Sequence, residues 1–281
     1  MTSHTSSPAS PTPGPPRRRG AAFAVSAVTI VVGSVVALGT LVGTGVPAVA
    51  SLIDWRGQTA TYDSSIDDTT EQLTGLDIDL AGGSLTVEFG DVESARLDAD
   101  DRGRRGWTFR RDGDSLRVAS PSGTFAGWGP GSRATLVLPR DLDGAGLHAD
   151  IRVTGGTLDA TGDFGEMAVD VAGGTASVDG GARDLDLTVT GGSASARILD
   201  AETASFEVAG GELTARLSGV TPTRTDVEVT AGSADVTLPD DEYDVRVDDG
   251  MGSVDNALRT SATASAEVDV TATMGSVRLR S

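Results

Sequence analysis

Aligned on a pair of small residues, the chain beyond residue 75 repeats itself. The pairs are Gly82-Gly83, Gly155-Gly156, Gly173-Gly174, Gly191-Gly192, Gly210-Gly211, Ala231-Gly232, Met251-Gly252 and Met274-Gly275. From the second pair onward, the last glycines are 18, 18, 19, 21, 20 and 23 residues apart. Five positions before that glycine stand Ile78, Ile151, Val169, Leu187, Phe206, Val227, Val247 and Val270, all apolar. Three before it the column is apolar except at Asp249, two after it apolar throughout, and four after it apolar except at Asn256. The columns between are polar: Asp79, Arg152, Asp170, Thr188, Glu207, Glu228, Asp248 and Thr271 stand four before the glycine. Alternation of period two on both sides of a glycine bend predicts strands, and the Val, Ile and Thr content agrees. Both exceptions fall in one unit, which predicts a shifted register around Asp248-Asp249-Gly250.

Two all-β geometries satisfy the pattern. Each glycine pair is either the turn of a hairpin, giving an antiparallel meander or sandwich, or a corner of a β-solenoid whose coils stack like on like. Near-constant spacing and the column match favour a single-stranded solenoid of eight coils, roughly 35 Å long at the inter-strand spacing. Residues 94–139 break the repeat. Strands are expected near Arg96–Ala99, Trp107–Arg110, Ser115–Ala119 and Ala134–Leu138, with Asp112-Gly113 as a hairpin turn and a Gly/Pro-rich loop over Pro121–Gly131.

The N-terminal part follows a different logic. Residues 1–20, rich in Pro, Ser and Thr, are read as a disordered cytoplasmic tail. Residues 21–53 carry no charge, enough for a transmembrane helix. Arg17, Arg18 and Arg19 precede it and Trp55 follows, as interface anchors; the positive-inside bias places the N-terminus in the cytoplasm. The small residues Ala48-Val49-Ala50 leave a cleaved signal segment, and so a secreted domain, as the alternative. Residues 54–75 are then a juxtamembrane linker and 76–281 the extracytoplasmic β-repeat domain.

Charge narrows the functions. The 281 residues carry 41 acidic groups, all beyond residue 53, and 22 arginines, of which 19 lie there too. Such acidity excludes a nucleic-acid partner. There is no cysteine, and His148 is the one histidine outside the tail. No nucleophile elbow and no supplied zinc set is present, so no catalytic residue, cofactor or metal is assigned. The acidic runs Asp98–Asp101, Asp240–Glu242 and Asp248–Gly250 read as solvated turns. Trp107, Phe125 and Trp128 either cap the open first coil or form an exposed patch for a partner or the membrane surface. Arg104 and Arg105 stand nearby and suit anionic headgroups or cell-wall polymer.

The segments Leu76–Val87 and Val227–Pro239 resemble the toastrack family of bacterial adhesin-type repeat domains. The resemblance covers about residues 70–281 and rests on the repeat. It implies a right-handed β-solenoid in the cell envelope, with a role in adhesion or envelope-stress sensing and no catalytic residues to carry over. The expected function is thus a non-enzymatic, membrane-anchored scaffold that meets an envelope protein or cell-wall polymer. A stress sensor and a polysaccharide-active enzyme are the alternatives.

Overall fold

A computed structural model describes residues 61–62, 73–100, 106–120 and 132–281. The predicted membrane helix, the tail and most of the linker lie outside these residues. The chain divides into two units, Met1–Trp55 and Arg56–Ser281, and every described residue belongs to the second.

The strands in chain order are β1 (Thr61–Tyr62), β2 (Gly75–Leu80), β3 (Ser84–Gly90), β4 (Arg96–Asp100), β5 (Thr108–Asp112), β6 (Ser115–Ala119) and β7 (Arg133–Pro139). They continue as β8 (His148–Val153), β9 (Thr157–Val171), β10 (Thr175–Val189), β11 (Ser193–Leu199), β12 (Thr203–Val208), β13 (Glu212–Ser218) and β14 (Arg224–Val229). The last are β15 (Ser233–Thr237), β16 (Glu242–Asp248), β17 (Ser253–Asn256), β18 (Arg259–Thr260), β19 (Ala266–Ala272) and β20 (Ser276–Arg280). The described residues are all-β apart from a 3₁₀ turn at Arg140–Leu142. Thr61–Tyr62, within the segment read as linker, pairs with β4.

Equivalent strands of the repeat pair in parallel and in register, which a meander cannot give. One wall runs β6, β2, β8, the second half of β9, the second half of β10, β12, β14, β19, β16. The other runs β7, β3, the first halves of β9 and β10, β11, β13, β15, β20, β17. Among the described residues that makes nine coils rather than eight, because β6 and β7, from the segment that breaks the repeat, form a coil of their own. Among the described residues, antiparallel pairing is confined to β1–β4, β4–β7 and β5–β6, on that side of the stack.

The apolar columns face inward. Leu80, Val153, Val171, Val189, Val208, Val229 and Ala272 share one column and are all 0% exposed. Alternation fixes this: with side chains at successive positions on opposite faces, only one register buries every second residue. Six of the eight corner glycines take positive φ, from +82° at Gly174 to +99° at Gly232, and a Cβ at either of these two would strike the backbone of the glycine in the coil beneath. Only glycine supplies both the conformation and the clearance.

The stack does not follow chain order. The coil β2/β3 lies between β6/β7 and β8/β9, and the final coil β19/β20 lies between β14/β15 and β16/β17. At each side of the stack, the coil that comes first or last in the repeat is flanked on both faces. This accounts for Asp249 and Asn256. Their coil keeps its register, Asp248 pairing with Thr271 and Ser253 with Ser276, so the expected shift does not occur. Instead β16/β17 is outermost. Its inward columns meet solvent: Val247 is 46% exposed, and Asp249 and Asn256 are exposed as well. At the opposite side the end coil is covered. Leu97 of β4 and Trp107 before β5 belong to the same core as Leu116, Val118, Leu136 and Leu138, and the half-buried Phe109 packs against it. There Ser120 replaces a corner carbonyl, its Oγ accepting the N–H groups of Ala81 (2.9 Å) and Gly82 (3.3 Å).

Candidate functional site, an acidic trough on one wall

The outward columns of the wall that holds β8, β12 and β14 are where polar chemistry concentrates. One of them reads Asp77, Asp150, Ala168, Asp186, Ser205, Asp226, Asp269 in stacking order. Ala168 and Ser205 flank Asp186 on the neighbouring coils. Their short side chains leave a trough of about 390 Å³ bounded by Glu166, Asp184, Thr203, Arg224 and Asp226.

The rim is satisfied. Thr203 Oγ1 donates to Asp184 Oδ1 at 2.7 Å and Arg183 Nε donates to Asp184 Oδ2 at 3.1 Å. These bonds, the threonine's first, hold the Asp184 carboxyl below its usual range. Arg224 grips Asp226 with two bonds of 2.7 Å, Nε to Oδ2 and Nη2 to Oδ1. Such a bidentate fork is the strong form of the charged hydrogen bond.

The carboxylates beside the trough are not satisfied. Asp186, Glu207 and Glu228 have no hydrogen bond or ion pair among the described residues. The carboxyl of Asp186 reaches water, yet the surrounding wall displaces enough of it to hold the group above its usual range. Glu207 is raised by the same loss of water first, and then by the charges of Glu228, Asp186 and Asp170. This is an excess of negative charge with an open volume beside it, a setting that favours amines and guanidinium groups. The described residues hold no group of three or more His, Asp or Glu side chains placed to bind a metal ion.

His148 opens β8, as the alternation predicts, at the edge of the same wall. Its Nδ1 lies 3.1 Å from Glu166 Oε2 and its Nε2 lies 3.4 Å from Asp150 Oδ2. Both ring nitrogens thus face carboxylates, and among the described residues no Ser or Thr hydroxyl is bonded to the ring. The three acidic runs noted in the sequence lie elsewhere. Asp98 pairs with Arg96 at 3.0 Å, Asp240 with Arg259 at 3.2 Å, and Asp241 accepts the N–H of Glu242 in a corner. Asp248 and Asp249 sit on the outermost coil.

Of the residues singled out for a partner or membrane patch, Trp107 is described. It is 5% exposed, a member of the core cluster, with its Nε1 unbonded among the described residues. Arg104, Arg105, Phe125 and Trp128 lie outside the described residues, as do Arg17, Arg18, Arg19 and Trp55. Sequence reading recorded Asp170, Glu207 and Glu228 as one polar column and passed over the next. Written out in full, the recurring aspartates of that second column, broken by Ala168 and Ser205, are the signal that finds the trough.

No family model matches the chain, and no curated protein matches it. Solved structures do resemble it. A candidate cell adhesion protein from Clostridium sporogenes is 12% identical over 75% of this chain and 92% of its own, with a TM-score of 0.31. A candidate adhesin from Parabacteroides distasonis is 11% identical over 74% and 92%, with a TM-score of 0.40. One from Bacteroides fragilis is 13% identical over 74% and 92%, with a TM-score of 0.33. These structural neighbours are thus candidate adhesin-type proteins at low identity.

Proposed function

We propose that the chain is a non-enzymatic, adhesin-like interaction domain of the cell envelope that holds a basic partner on its acidic wall. The observation that carries this is the unbalanced set Asp186, Glu207 and Glu228 beside the trough. Charges left unpaired on a rigid, in-register lattice attract a complementary surface and orient it. The partner class is an envelope protein or cell-wall polymer that displays amines or guanidinium groups. The uncharged run of residues 21–53 behind Arg17–Arg19 supports anchoring outside the membrane by a single span. Parallel β-connections wind right-handed almost without exception, and we extend that hand to this stack.

The test uses the full chain and polylysine as probe, with binding followed at low and high salt. Binding that weakens with salt and falls about tenfold or more in the D186N/E207Q/E228Q variant is the expected result. Equal binding by the variant overturns the assignment of the wall. Release of sugars from cell-wall polysaccharide by the wild-type chain, lost in that variant, overturns the non-enzymatic reading.

A further inference from the structure

The final coil of the repeat is built as an insert. β19 pairs with β14 on one face and β16 on the other, and β20 likewise with β15 and β17. The two walls of this slot come from residues 224–256, which precede the insert in the chain.

Charge matches insert to slot on both sides of the stack. On one wall the insert is acidic and its neighbours supply arginine. Arg224 lies 3.7 Å from Glu267 and 3.2 Å from Asp269, and Arg246 lies 3.6 Å from Glu267 and 3.5 Å from Asp269. On the other wall the signs reverse. Arg280 and Arg278 of the insert lie 3.1 and 3.4 Å from Asp235, and Arg278 lies 3.6 Å from Asp255. Each exposed pair is worth little alone. Together they fix which segment fills the slot and in what register.

The tether is slight. Residues 261–265 read Ser-Ala-Thr-Ala-Ser. The turn is closed by the Ala264 N–H to the Ser261 carbonyl at 3.0 Å and by the Ser261 and Thr263 hydroxyls at 3.1 Å. Opening it gives up those two bonds, while the ladder bonds of β19 and β20 are broken in one copy and remade in the other.

We propose that this insert is exchanged between two copies of the chain, the partner's residues 266–281 filling the slot between β14/β15 and β16/β17. Exchange recreates every ladder bond and ion pair in trans, so its cost is confined to the hinge and to association, the usual basis of domain swapping. This holds whatever partner the acidic wall takes.

The absence of cysteine allows a clean test. Glu228 and Thr271 are register partners across the slot and both are exposed. Paired positions in a parallel ladder fall within reach of a disulfide. Full-length E228C and T271C are mixed, equilibrated and oxidised. The control mixes T188C with E207C, register partners on coils that the exchange leaves in place. A disulfide between chains in the first mixture and none in the control is the expected result. Bonds between chains in both mixtures mean side-by-side association and overturn the proposal. None in either, while the E228C/T271C double variant closes its bond within one chain, overturns it as well. Native mass spectrometry of isotope-labelled and unlabelled wild-type chain gives a readout free of substitutions. Mixed dimers that form after dilution and remixing support exchange, and monomers at every concentration exclude it.

Discussion

Gly180 rests on the carbonyl oxygen of Gly162 one coil away, with no room for a Cβ between them. The two bend β9 and β10 at the same height, with φ of +145° and +146°. Because of them each strand turns the second corner without leaving the ladder, pairing through residues 157–171 and 175–189.

Gly180→Ala therefore meets both a backbone clash and a left-handed φ. The expected loss is about 2–4 kcal/mol, read as a fall in the urea midpoint. Gly82→Ala is the control: a Cβ there meets nothing within 4 Å. Its effect should stay within about 0.5 kcal/mol.

Thr225 points into the core at 0% exposure, and its Oγ1 has no bonding partner among the described residues. It sits between Ala204 and Val268 in an otherwise apolar column. Thr225→Val removes an unsatisfied hydroxyl and keeps the shape, so the chain should gain about 1 kcal/mol, measured by chemical unfolding.

Tyr243 is buried, and its hydroxyl donates to the Pro239 carbonyl at 2.7 Å. Loss of water, with the charge of Asp241 behind it, pushes the phenol up to about 12. A folded value above the unfolded one means that this contribution to stability is complete below pH 10 and is lost as pH rises through about 12. A spectrophotometric titration should show one tyrosine ionising late. Tyr243→Phe should remove that late step and cost about 1 kcal/mol at neutral pH.

Asp186 behaves in the same sense at the acid end. Its raised carboxyl is a small burden on the fold at neutral pH and none once it is protonated. Asp186→Asn should raise the urea midpoint at pH 7, by a few tenths of a kcal/mol after allowance for solvent screening. Near pH 3, where the carboxyl is neutral, the difference should vanish. A midpoint that falls at pH 7 would show that the carboxylate is paired after all.

The outermost coil gives a prediction against ordinary expectation. Amides near the end of a chain usually exchange fastest. Here β19 and β20 are bonded on both faces, whereas β16 and β17 close one side of the stack and expose Val247 and Asp249. Hydrogen exchange should therefore be faster in residues 244–256 than in residues 266–280.

The core was legible in the sequence because inward and outward positions differ in kind. Ile78, Val169 and Phe206 alternate with Asp79, Asp170 and Glu207, and no fold can ignore that parity. The order of the coils was not legible. Any stacking sequence satisfies the same alternation, so the columns alone could not place β19/β20 inside β16/β17. The information lies in a subtler feature, the reversal of charge between Glu267 and Asp269 on one wall and Arg278 and Arg280 on the other. The trough was hidden for a related reason. It arises where Ala168 and Ser205 lie beside Asp186, and those three residues become neighbours only once their coils are stacked.

The tucked position of the final coil also governs how the domain meets mechanical load. A tug transmitted through β20 must slide that strand against β15 and β17 together, breaking many bonds at once. A strand at a free margin would unzip one bond at a time. Among the described residues the margin β17 is bonded to β20 alone, so tension entering here meets a strand held on both faces and not one held on a single face.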